Sequence, residues 1–204
     1  AMYETIAKNN LLLEKYSKMK SNLLGVRKLG DWDLMAPVLQ EEVICSWDNA
    51  KKLIAKAYTQ FDSDMGNCVS KIFKENRIHA KAGGGKVALG RCYSLYRPNL
   101  GWIITNYTGA LSGLITIAHE AGHLYQNYLS ATNNTYLNHH PVKSLAETGS
   151  NFGELLLLDY LLHDAKHKTK IIFLARQLDR FRLMTYEMLY RIKFESQTYE
   201  AIRN

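Results

Sequence analysis

Proline is scarce in this sequence: three among 204 residues. Long stretches therefore hold nothing that would break a helix, and their Leu-, Lys- and Glu-rich texture favours one. Cysteine is equally sparse. Cys45, Cys68 and Cys92 are an odd number at wide spacing, which fits neither a disulfide framework nor a zinc ribbon. Free thiols in a reducing cytoplasm are the expectation, and no cysteine has a neighbour that would make it a nucleophile. No apolar run approaches the roughly 20 residues that span a bilayer. The first residues are amphipathic and lack the apolar core of a signal peptide, so no membrane partner is expected. Nucleic-acid motifs are also missing. The formal charge is +7 and the pI about 9.2, but apart from Lys166, Lys168 and Lys170 the cations are scattered. A solvated basic face, with no nucleic-acid partner, is the reading. Hydrophobic residues at 47% against 22% charged exclude disorder, and the length suits one domain with a sizeable core.

What is present is the run Ile117-Ala118-His119-Glu120-Ala121-Gly122-His123-Leu124. In an α-helix residues four apart share a face one turn apart, so His119 and His123 point the same way. Two neutral imidazoles can hold one divalent metal, and a glutamate beside them can take a proton from a metal-activated water. The motif alone has a real chance-match rate, so its surroundings matter. Residues 108–129 hold no proline, and Leu111, Leu114, Ile115, Ala118, Gly122 and Tyr125 recur near a 3.6-residue period. Thr108 or Ser112 can cap that helix. A zinc site wants a third protein ligand. Glu147, 24 residues past His123 (147 − 123), is the candidate. His139 and His140, in the polar connection 133–141, are the alternative. Glu154 lies two helical turns beyond Glu147 on the same face, placed to hydrogen-bond a ligand histidine. Zinc is the expected metal; manganese and cobalt stay open.

The segment Ala146-Glu147-Thr148-Gly149-Ser150-Asn151-Phe152-Gly153-Glu154, at this distance after His-Glu-Ala-Gly-His, resembles the oligoendopeptidase F branch of the thimet-type zinc metallopeptidases. That family pairs a His-Glu-x-Gly-His helix with a second helix carrying Ala-Glu-x-x-Ser-x-x-x-Glu. Gly84-Gly85-Lys86, Tyr93-Ser94 and Ile103-Ile104-Thr105-Asn106-Tyr107 are similar to the family's glycine-rich hairpin. Leu24-Gly25-Val26-Arg27-Lys28-Leu29 and Asp33-Leu34-Met35-Ala36-Pro37 resemble its entry into the catalytic region. The resemblance implies a mainly α, zincin-type catalytic domain with a small β-hairpin or sheet before the metal helix. It implies Zn²⁺ on His119, His123 and Glu147, Glu120 as general base, Glu154 behind a ligand histidine, and short peptides as substrates. It also implies a longer protein, with an N-terminal helical lobe and a C-terminal segment whose His and Tyr hold substrate and oxyanion. Residues 1–204 then read as a single catalytic subdomain, a fragment or truncated form of a longer peptidase. The expected partners are missing lobes or a second copy. The alternative is a zinc-binding fragment that is inactive or dependent on a partner.

In order along the chain, one amphipathic helix is expected over 3–24 on Ile6, Leu13, Tyr16, Met19 and Leu23, with its lysines mostly off that stripe and Gly25 ending it. Residues 30–42 read as a loop in which Trp32 packs. Ser46 is expected to cap a helix over 47–59, and Asp62 or Ser63 starts another to about 75, with Met65, Cys68, Val69, Ile72 and Phe73 buried. His79 falls in the loop that follows. Gly83-Gly84-Gly85 reads as flexible. Strands over 87–96 and 101–107 make a hairpin around Pro98-Asn99, either structural or an edge to which an extended peptide adds. A helix from about 141 to 162 carries Glu147. His163 and His167 repeat the four-residue spacing, but their basic surroundings suit a helix C-terminus better than a metal. Residues 169–204 read as helix, with Phe173, Leu174, Leu178, Phe181, Met188 and Ile192 on a buried face and the aromatics at 181, 186, 190, 194 and 199 packed.

Overall fold

A computed structural model describes residues 10–39, 44–86, 90–96 and 101–203. The expected helix over 3–9, the end of the loop at 40–42, the strand start at 87–89 and the turn at Pro98-Asn99 lie outside the described residues. The chain divides into two compact units, Glu42–Ala165 and Ala1–Glu41 with Lys166–Asn204.

Within the first of these, Ser46 and Asp62 start two helices by the same device. The Ser46 hydroxyl accepts from the Asn49 N–H at 3.3 Å and Asp62 accepts from the Met65 N–H at 2.8 Å. Each satisfies one of the donors that a helix start leaves unpaired. The helices are Trp47–Phe61 and Ser63–Lys74 (α2 and α3 in chain order). They bury Ala50, Ile54, Ala57 and Tyr58, and Met65, Val69 and Ile72, the three- and four-residue steps of an amphipathic helix.

Three strands follow: β1 (Ile78–Lys81), β2 (Arg91–Ser94) and β3 (Gly101–Tyr107), in the order β1-β3-β2. β2 runs antiparallel to β3 with Cys92 opposite Ile103, and β1 runs parallel to it with His79 opposite Ile104. His79 is thus a strand residue, not a loop residue. Only four residues make β1, too few for an alternating pattern to show. The glycine run before β2 is tied down as well. The Lys86 ammonium donates to the His79, Lys81 and Thr105 carbonyls.

Helix α4 (Leu111–Asn133), the four-residue α5 (Lys143–Ala146) and α6 (Thr148–Asp164) complete this unit. Tyr58, Ile54, Ile103, Leu114, Ile117 and Leu157 are fully buried, each such side chain contributing roughly 1.5–3 kcal/mol of transfer free energy. The architecture is mainly α with a small sheet ahead of α4.

The other unit pairs α1 (Asn10–Leu24) with the 37-residue α7 (His167–Arg203). Gly25 ends α1 at φ +70°, with the Val26 N–H reaching back to the Ser21 carbonyl at 3.0 Å, a left-handed stop that glycine adopts without strain. The buried Lys20 ammonium spends all three donors, two on Asp179 at 2.7 Å and one on the Leu34 carbonyl at 2.8 Å. The Tyr16 hydroxyl lies 2.8 Å from the same carboxylate. Lys20 therefore belongs to the core, because a fully paired charge can be buried. Two expectations fail here. Trp32 is 84% exposed, its indole lying along Gly30. On α7, Phe173, Ala175 and Asp179 are the buried residues, while Leu174, Phe181, Met188, Ile192, Tyr190, Phe194 and Tyr199 are exposed. An apolar stripe buries only where a neighbour runs beside it. Among the described residues, no helix is long and apolar enough to cross a membrane.

Candidate metal and catalytic site

α4 begins without a side-chain cap: Ala110 is its N-cap, and neither Thr108 nor Ser112 fills that role. Gly109 instead turns the chain at φ +91° while its carbonyl accepts from the Cys45 N–H at 2.8 Å. The helix is unbroken from there to Asn133. It buries Leu111, Leu114, Ile117, Ala118, Ala121 and Leu124, which leaves His119 and His123 on a half-buried flank with ring centroids 4.8 Å apart.

Glu147 comes from the other side. It stands at the junction of α5 and α6 with ψ near 0°, so the helix expected from about 141 is interrupted at this residue. Its Oε2 lies 3.2 Å from His119 Nε2 and 3.4 Å from His123 Nε2. One ligand atom from each of the three residues falls within 4.8 Å of the others, and no other set of three His, Cys, Asp or Glu does so among the described residues.

The glycine of the motif makes this convergence possible. A Cβ on Gly122 would sit 2.3 Å from the Gly149 carbonyl oxygen and 2.8 Å from Ser150 Cα. α4 and α6 therefore meet backbone against backbone, closer than any side chain allows. Two further residues hold Glu147: Ser150, the serine of the Ala-Glu-x-x-Ser-x-x-x-Glu pattern, and Gln126, which the sequence does not mark. Fully buried Ser150 presents its hydroxyl 2.8 Å from Glu147 Oε2 and 3.0 Å from the Glu147 carbonyl. Gln126, one turn past His123, donates to the Leu145 carbonyl at 3.0 Å and accepts from the Gly149 N–H at 3.3 Å. It clasps both sides of the α5–α6 junction. The Ser150 signal was there in its three-residue step from Glu147; the Gln126 contact crosses elements and leaves none.

Buried Glu154 lies 2.5 Å from His119 Nδ1 through its Oε1. A carboxylate there requires Nδ1 to carry the proton, which turns the Nε2 lone pair toward Glu147. Burial holds the His123 pKa below the ordinary imidazole value, against the upward pull of Glu147 and of the Ala146 carbonyl. Burial thereby favours the His123 ring as a neutral donor. Glu120 is 6% exposed. Burial pushes its carboxyl above the usual range, His119 and the backbone N–H of Cys92 pull it back, and Glu147 adds to the rise. The Cys92 thiol beside it is pushed up to about 12 by burial and by the Glu120 charge. Cys45, Cys68 and Cys92 are free thiols.

Other candidates are set apart from this cluster. His139 is buried, not exposed: it packs on the rings of Tyr96 and Tyr136 and lies 2.6 Å from the Tyr136 carbonyl through Nδ1. His163 and His167 lie on different helices, α6 and α7. A cavity of about 420 Å³ is lined by Leu124, Tyr125 and Tyr128 together with Cys68, Arg77 and Leu95. At roughly 100° per residue those α4 positions point away from His123, so the cavity opens on the far side of the helix.

Two nitrogens and a carboxylate oxygen, with a carboxylate fixing one ring's tautomer, suit a divalent zinc that keeps an open position. Residues 65–204 match the model described as Peptidase family M3. The chain is 26% identical over 205 residues to the group B oligopeptidase PepB of Streptococcus agalactiae, covering 98% of this chain and 34% of that protein. It is 24% identical over 202 residues to an oligoendopeptidase F homolog of Lactococcus lactis, covering 98% and 33%. A crystal structure from Chlamydophila abortus superposes with a TM-score of 0.84 at 24% identity, over 98% of this chain and 34% of that one. The chain thus spans about a third of the length of the curated relatives it matches.

Proposed function

The chain belongs to peptidase family M3, and on that premise we propose that it carries the catalytic centre of a zinc-dependent endopeptidase that hydrolyses short peptides. The observation that carries this reading is the meeting of His119, His123 and Glu147 at one point, with Glu154 behind His119.

His119 and His123 would hold the ion through imidazole nitrogens and Glu147 through a carboxylate oxygen. Zinc bound there supplies a Lewis acid for the scissile carbonyl and lowers the pKa of water. Glu120, next in sequence to His119 and largely screened from solvent, takes a proton on its carboxylate from the attacking water. It then returns that proton to the leaving amine, as a general base and acid. Glu154 keeps the Nδ1 proton of His119 in place, and Ser150 keeps the Glu147 carboxylate from swinging into solvent. β2 is an edge strand, along which an extended peptide can lie by main-chain hydrogen bonds. Three free thiols suit a reducing cytoplasm.

Coverage of a third of its relatives favours a second reading: the chain holds the metal but cleaves peptide only with further lobes or a partner chain. One experiment separates the readings. Zinc content and cleavage of a quenched fluorescent peptide are measured for the wild type and Glu120→Gln. The first reading expects equal zinc and a cleavage rate lower by about 10²–10⁴ in the variant. Unchanged cleavage removes Glu120 as the base. Zinc binding without cleavage in the wild type supports the second reading.

A further inference from the structure

Glu120 has three rotatable bonds, and holding such a side chain still costs up to about 2 kcal/mol of rotamer entropy. A base that must meet one water in one place therefore needs something to hold it. α4 supplies nothing visible for this purpose. The start of β2 does. There the Cys92 backbone N–H is among the groups that hold the Glu120 carboxyl down against burial. Two residues earlier, Gly90 lies against the same side chain: a Cβ there would stand 2.7 Å from Glu120 Cγ, 2.9 Å from Glu120 Oε1 and 2.5 Å from Thr116 Cγ2. Thr116 is one turn before Glu120 on α4. The side chain thus occupies a slot whose floor is strand backbone and whose width depends on a missing methyl group.

We propose that the main chain of residues 90–92 is the positioning element for Glu120, with Gly90 leaving the space the carboxylate fills and the Cys92 N–H fixing one of its oxygens. The other oxygen is then left for the attacking water. This rests on the reading of Glu120 as general base, and it adds Gly90, which acts on the base and not on the metal. A backbone donor suits the task because it cannot swing away as a side-chain donor would. The environment of the Cys92 thiol agrees, since its pKa is raised in part by the Glu120 charge.

Gly90→Ala is a selective probe. The three atoms nearest its methyl group all belong to side chains, so the strand and helix can keep their places while the carboxylate moves. Amide spectra of the metal-free chain give a readout independent of catalysis. The Cys92 amide is expected to shift and lose protection from exchange in Glu120→Ala, and to do the same in Gly90→Ala. Zinc affinity and the remaining amides stay as in the wild type. Gly84→Ala, whose methyl group meets nothing within 4 Å, leaves the Cys92 amide unmoved. Where cleavage is measurable, kcat falls in Gly90→Ala by as much as about 10²-fold, the scale of a 1 Å misplacement, with KM little changed. A Cys92 amide that ignores both Glu120→Ala and Gly90→Ala overturns the proposal. So does full kcat in a folded Gly90→Ala. Glu120→Gln that still cleaves would sink the base assignment instead, and the amide shifts would still decide the geometry.

Discussion

Two pairs of histidines stand four residues apart in this chain, and they meet different fates. His119 and His123 share one unbroken helix, with Glu147 across from both Nε2 atoms and Glu154 behind one ring. Between His163 and His167 the helix stops. α6 ends at Asp164, Ala165 is extended at ψ 143°, and α7 begins at His167. Both residues are exposed. The four-residue step becomes a shared face only where the backbone between is helical. The shared face becomes a candidate site only where a second helix brings carboxylates to it. In the first pair, that approach depends on the absence of a side chain at residue 122.

The strongest break of this comparison is removal of one ring from each pair. His119→Ala is expected to abolish stoichiometric zinc binding, read by metal analysis after dialysis, while His163→Ala and His167→Ala bind as the wild type does. Equal losses at both pairs would erase the distinction. Next in size is the buried carboxylate. Glu154→Gln keeps the shape but no longer demands a proton on His119 Nδ1, and a loss of about 10–100-fold in zinc affinity is expected in a chelator competition. An unchanged affinity would make Glu154 a packing residue. Smaller again is the effect of widening the helix contact. Gly122→Ala gains up to about 1 kcal/mol of helix propensity. It also forces a methyl group against the Gly149 carbonyl and Ser150 Cα, an overpacking cost of roughly 1–3 kcal/mol. Net destabilisation in urea, with a modest drop in zinc affinity, is the outcome; a more stable variant would show that the helices do not touch there.

Much of this could be read from residue order because it is local. The Ser46 and Asp62 caps, the α4 period and the pairing of 91–94 with 101–107 depend on neighbours within a few positions. The convergence on Glu147 was readable for a different reason: a sequence pattern tied two helices together. What escaped depends on contacts made elsewhere in the fold. Lys20 is buried because Asp179 meets it, His139 because Tyr96 and Tyr136 enclose it, and the apolar positions of α7 are exposed because little of α1 runs along them. The break at Glu147 was hidden because residues from about 141 to 162 read as one helix on both sides of it. β1 was missed because four residues against a longer strand make no pattern of their own.

The central claim is that two imidazoles from α4 and one carboxylate from the α5–α6 junction form a single metal site. X-ray absorption at the zinc edge of the zinc-loaded chain tests it most directly. Two imidazole rings with oxygen, no sulfur, and a changed spectrum in Glu147→Ala are the expected result. A sulfur scatterer, or a spectrum indifferent to Glu147→Ala, would contradict it.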